Sequence, residues 1–178
     1  MMDSILFNIE AIFFPIKYRK IRENRANHLS ETIAILWPIM MMSLLWDLLI
    51  LTFKPEQFNF YVVYYILLKV FFIPFSLLIE VGFCYLSIVL IANDSFDDKE
   101  IESTLAQFIT PKILHIIPFF GVPLAALVSN INLFFCLKQK ISAMKSVQII
   151  ILPILLSIFF LLILFFCLAL LFVLLIGF

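Results

Sequence analysis

The fold turns on Leu105-Ala-Gln-Phe-Ile-Thr-Pro111-Lys-Ile-Leu-His115-Ile-Ile-Pro118-Phe-Phe-Gly121-Val-Pro123-Leu-Ala-Ala-Leu-Val-Ser-Asn130-Ile-Asn132-Leu-Phe-Phe-Cys136-Leu137. This stretch is long enough for one tilted span of a bilayer and short for two, which want about 40 residues. Pro118, Gly121 and Pro123 stand in its middle. Proline lacks the backbone N–H that a helix needs and clashes with the preceding turn, so a continuous helix is opposed there. The flanking charges decide between one crossing and two. Lys17, Arg19, Lys20, Arg22 and Arg25 precede the first long apolar run, and Lys138, Lys140 and Lys145 follow Leu137. Basic loops stay on the cytoplasmic side. With both basic segments there, the number of crossings between Leu105 and Leu137 must be even. The sequence therefore predicts a hairpin of two short helices, about 104–118 and 121–137, with Pro118, Gly121 and Pro123 as the hinge. Irregular backbone at that depth must be covered by protein or water, because lipid offers it no hydrogen bonds.

Working outward, three more apolar segments appear, at about 31–53, 61–92 and 147–177. The first is followed by a polar turn, Lys54-Pro55-Glu56-Gln57. The second would make about 48 Å of helix against a hydrocarbon core of about 30 Å, so it must tilt, protrude or kink, with Pro74 as the kink point. Tyr61, Tyr64 and Tyr65 near its start suit the aromatic belt. The last has no charge and carries Pro153 near its start. Residues 1–28 read as a cytoplasmic or interfacial amphipathic segment, with Phe13, Phe14 and Ile16 in lipid and the cations at the headgroups. The predicted architecture is an all-α polytopic transmembrane bundle of five segments over residues 29–178. Its N-terminus is expected in the cytoplasm and its C-terminus outside. No secretory signal is read at the N-terminus, since the basic cluster follows the first apolar stretch and does not precede it.

Composition agrees with a lipid solvent. Hydrophobic residues make up 65% and charged residues 13% of 178, with 22 phenylalanines and a net charge of zero. A soluble domain has roughly 25% charged residues. Zero net charge leaves no basic footprint for nucleic acid. Cys84, Cys136 and Cys167 lie in apolar runs without a nearby partner, so no zinc site and no cofactor is expected. The acidic loop from Asn93 to Ser103 lacks the spacing and turn glycine of a calcium loop. Asp97 followed by Glu100 reads instead as a helix capping box. His-Glu-x-x-His and Gly-x-Ser-x-Gly motifs are absent.

A few charges remain inside the apolar stretches: Asp47, Lys69, Glu80 and Lys112, with His115 one turn on. An unpaired charge at mid-bilayer costs about 2.5–3.5 kcal/mol even on insertion scales, so these groups should face the bundle interior and pair. Depth counted from the turns matches Asp47 with Lys69, and Glu80 with His115 or Lys112. Lys69 and Glu80 share a helix face. Such a network serves either as ionic staples that fix helix register or as a path for a proton, ion or headgroup. Asn130 and Asn132 are candidates for inter-helix hydrogen bonds.

Phe14-Pro15-Ile16-Lys17-Tyr18-Arg19-Lys20-Ile21, Ile109-Thr110-Pro111, Ile117-Pro118-Phe-Phe-Gly121 and the basic loop from Lys138 to Lys145 before a long apolar span together resemble the Yip domain family of five-span membrane proteins. The Asp-Leu-Tyr-Gly-Pro motif of eukaryotic members, which bind Rab-type GTPases, does not occur. The resemblance thus implies the prokaryotic branch, a cytoplasmic-membrane location and no Rab binding. Three functions follow as expectations. The first is a non-enzymatic scaffold or accessory component that partners the bilayer and a membrane protein or a second copy. The second is a small transporter or channel component using Lys69, Glu80, Lys112 and His115, and the third an intramembrane enzyme acting on lipid.

Overall fold

A computed structural model describes residues 2–23, 28–53, 60–117 and 120–176, with side chains left out at 2–5, 28, 43, 47–48, 50–53, 60–69, 71–74 and 174–176. The turn at Lys54-Pro55-Glu56-Gln57, Arg25 and Pro118 lie outside the described residues, as do the side chains of Asp47, Tyr61, Tyr64, Tyr65, Lys69 and Pro74. Every element among the described residues is helical. The α-helices are α1 (Met2–Phe13), α2 (Pro15–Glu23), α3 (His28–Phe53), α4 (Phe60–Ala92), α5 (Asp98–Ile109), α6 (Gly121–Leu137) and α7 (Ala143–Ile176). A 3-10 turn, Asn93–Ser95, follows α4, and a longer 3-10 segment, Thr110–Ile116, continues α5.

Three of these helices, α3, α4 and α7, are long and apolar enough to cross a membrane, over Leu29–Trp46, Phe75–Ser95 and Ala143–Val173. This makes the chain membrane-associated. The fourth apolar helix, α6, is shorter, and α5 is of mixed polarity. It is instead the most enclosed helix: every residue from Ser103 to Ile109 is buried, including Thr104 and Gln107. The helices α2, α3, α4 and α6 surround it. A bundle in lipid has no hydrophobic penalty on its outer surface, so its polar side chains gather at the centre. The outer helix α7 shows the reverse, with only 6% of its span buried.

Local chemistry sets the boundaries. Asp97 caps α5: its Oδ1 accepts from the Glu100 N–H at 2.8 Å, and Glu100 Oε2 accepts from the Asp97 N–H at 3.1 Å. The capping box read from the sequence is therefore formed. Replacing Asp97 by Ala should cost about 1 kcal/mol, measured as a lower melting temperature in detergent. Pro111 stands at the start of the 3-10 segment, where its missing N–H is tolerated. The third segment is thus not a regular α-helix to residue 118, because the winding tightens at Thr110. Trp46 of α3 donates its indole N–H to the Ile116 carbonyl at 2.9 Å, satisfying an acceptor exposed where the winding ends. After the break, Gly121 opens α6, and Pro123 falls within its first turn, where N–H groups have no intrahelical partner. Proline 153 differs from the sequence expectation. Since α7 begins at Ala143, Pro153 lies inside the helix and leaves the Ile149 carbonyl without its usual donor.

Candidate functional site

Two polar clusters lie among the described residues. The first joins the N-terminal helices to the centre. On α2, Arg19 and Arg22 are three residues apart and therefore share a face. That face points inward: Arg19 is 3% and Arg22 1% exposed. The Arg22 guanidinium donates to Gln107 Oε1 at 3.0 Å and to Asn8 Oδ1 at 2.7 Å, and lies over the Phe7 ring. Gln107 in turn donates its amide N–H to the Ala11 carbonyl in the last turn of α1. Burial lowers the Arg22 pKa to about 10, which still leaves it charged at neutral pH. Arg19 donates to the Cys136 carbonyl at 2.6 Å and pairs with Glu23 at 2.8 Å. Cys136 lies in the last turn of α6, whose carbonyls have no intrahelical donors and whose dipole favours a cation. Glu100 lies 4.0 Å from Arg19 and also pairs with Lys140.

The sequence reading placed all these cations at headgroups. Lys17 and Lys20 are indeed exposed, but Arg19 and Arg22 are not. Meanwhile Leu6, Ile9, Phe13, Phe14 and Ile16 face outward. The segment is amphipathic with its polar face against protein and its apolar face free. The i, i+3 arginine spacing was the available signal; the partner at Gln107, 85 residues away, gave none.

The second cluster holds the predicted intramembrane charges. Glu80 of α4 and Lys112 of the 3-10 segment pair at 2.6 Å. The Lys112 side chain is 8% exposed and that of Glu80 40%. Of the two partners open to Glu80, the structure selects Lys112. Counting from the helix ends explains the choice. Glu80 lies about 18 Å from the end of α4, Lys112 about 22 Å from the start of α5, and His115 about 28 Å, because 3-10 winding rises about 2.0 Å per residue. His115 is half-buried in the last turn of the 3-10 segment. The Asp47–Lys69 pairing and the shared face of Lys69 and Glu80 fall outside the described side chains. The expected bonds between helices from Asn130 and Asn132 are not what the structure shows. Asn130 donates to Ala126 on its own helix at 3.0 Å, and the Asn132 amide nitrogen has no hydrogen-bond partner among the described residues.

A cleft of ≈ 320 Å³ opens beside the Glu80–Lys112 pair, walled by α4, α5, α6 and α7. Cys84 and Cys136 are buried free thiols and Cys167 an exposed one. Among the described residues no group of three or more His, Cys, Asp or Glu is placed to hold a metal. A Ser-x-x-Lys spacing occurs at Ser142-Ala-Met-Lys145, but Ser142 is exposed and its Oγ accepts from the Lys145 backbone N–H at 3.4 Å, a helix cap for α7. No protein-family model, curated protein or solved structure matches this chain.

Proposed function

We propose that this chain is a non-enzymatic integral membrane protein, a Yip-like scaffold or accessory component of a membrane assembly in a prokaryotic cytoplasmic membrane. It has five membrane segments: α3, α4, α5 with its 3-10 extension, α6 and α7. The N-terminus is cytoplasmic and the C-terminus external.

One observation carries the topology. Glu100, at the start of α5, engages both Arg19 of the N-terminal segment and Lys140 of the loop after α6. The meeting of α2, the start of α5 and the loop after α6 at one carboxylate supports putting all three on one side of the bundle. A chain that starts α5 and ends α6 on the same side has gone in and come back. The exposed apolar stripe from Leu6 to Ile16 then rests at the interface beside that platform. Reporter fusions test this: one at Lys140 should read cytoplasmic and one at the C-terminus external. An external Lys140 would overturn the five-segment reading.

The scaffold reading is supported by how the buried polar groups are used. Arg19, Arg22, Gln107, Asn8 and Lys112 all engage other parts of the same chain. The cleft beside Glu80 favours the second reading, a small transporter or channel component. Glu80→Gln and Lys112→Met separate the two. In a scaffold Glu80→Gln leaves the buried Lys112 uncompensated and Lys112→Met leaves the partly exposed Glu80 unpaired, and each lowers stability by about 3 kcal/mol or less, the second by the smaller amount. The thermal melt in detergent should drop and recovery of assembled protein should fall in proportion. If instead both variants melt like the parent, yet ion or solute flux into proteoliposomes disappears, the transporter reading replaces the scaffold.

A further inference from the structure

From the cleft beside Glu80 and Lys112, we infer a binding site for a neutral, hydroxyl-bearing lipid of the diacylglycerol class, held head inward between α6 and α7. The cleft volume, ≈ 320 Å³, is at the lower end of small-molecule sites. It has a polar floor and an apolar exit. On the floor are the Glu80–Lys112 pair, Ser129 and Asn130. Ser129 is 1% exposed, and its Oγ has no hydrogen-bond partner among the described residues. Thr104 Oγ1 is likewise buried without a partner among the described residues, but Thr104 does not line the cleft, whereas Ser129 does. Ser87, Ser103, Thr110 and Ser146 each donate to a carbonyl of their own helix or its preceding turn. A buried hydroxyl left unmatched is costly, so a ligand that meets it gains affinity.

The exit is formed by Ile154, Ile158 and Leu161, spaced along one face of α7. They are 48%, 51% and 60% exposed although they line the cleft, so this side is open to whatever surrounds the bundle. In a membrane that is acyl chain. A ligand entering this way brings a tail that follows α7 and a head that reaches the floor.

Charge selects the head. The ion pair is locally neutral, and a third net charge would have to be desolvated beside it. A hydroxyl donates to the Glu80 carboxylate, and an ester carbonyl accepts from Lys112 or Ser129, without that cost. Depth selects it too. Ser129 lies about 12 Å from either end of α6. A small uncharged head can sink that far, whereas a phosphate stays at the interface.

The test uses the full chain in phosphatidylcholine nanodiscs with a photoreactive diacylglycerol. Labelling should saturate, map to the α6 and α7 walls, and be competed by dioleoylglycerol but not by phosphatidylglycerol or oleate. Ser157→Phe, which fills the cleft from α7, should weaken it by at least about tenfold. Ser129→Ala should weaken it by about five- to tenfold, the loss of one hydrogen bond. Thermal melts report whether each variant folds; if Ser157→Phe does not, Ala126→Leu fills the same space from α6. The inference is overturned if a folded cleft-filling variant labels like the parent, or if the charged lipids compete equally well.

Discussion

Gly121→Ala should unfold the middle of this protein, at a cost of about 3 kcal/mol or more. A Cβ at this position would sit 2.2 Å from the Leu114 carbonyl oxygen, with the Leu114 carbonyl carbon and the His115 Cα both at 3.1 Å. All three are backbone atoms of the 3-10 segment, so no rotamer change relieves the clash. The chain must open between Ile117 and α6, which breaks the Gly121 N–H bond to the Ile117 carbonyl and the packing of α6 on that segment. The paired control is Gly82→Ala. A Cβ there meets nothing within 4 Å. Since Gly82 lies inside α4, alanine should stabilise it by about 0.5–1 kcal/mol through lower backbone entropy. Opposite shifts in the thermal melts of the two variants would confirm that close approach, and not glycine's helix propensity, is what position 121 requires. Equal shifts would refute it.

Local features of this chain are legible in its sequence, and long-range contacts are not. Hydropathy marked α3, α4 and α7, because a span is a local property of about 20 residues. The capping box at Asp97 and the break before Gly121 were also legible, because each depends on side chains within a few positions. The choice between Lys112 and His115 was not. It depended on where α-winding gives way to 3-10 winding at Thr110, which changes rise and rotation together. The arginine cluster was least legible. A basic side chain next to an apolar run reads as snorkelling unless its partners are known, and the partners of Arg19 and Arg22 lie in α5, α6 and α1. The same applies to α5. Its moderate polarity looks like a loop-proximal helix, yet it is the centre that the other helices cover.

The arginine cluster therefore gives the sharpest test of the difference between the headgroup and buried placements. If Arg22 lay at headgroups, Arg22→Met would behave like Lys17→Met, an exposed change worth within about 0.5 kcal/mol. In the buried placement Arg22→Met removes two hydrogen bonds to a charged donor, each worth about 1.5–3 kcal/mol, and strands Asn8 and Gln107. The expected loss is about 3–5 kcal/mol, read from the thermal melt and from exposure of the α1–α2 region to protease. Arg22→Lys should not rescue it. The two acceptors lie on different helices and are reached by two nitrogens of one rigid fork, which a single ammonium does not reproduce. A double-mutant cycle isolates the contact. Combining Arg22→Met with Gln107→Leu removes both ends of one bond, so the combined loss should fall short of the sum by about 1–3 kcal/mol. A strictly additive pair would mean that Arg22 and Gln107 do not meet, and the polar link from α2 to α5 would then rest on Arg19 and Glu100.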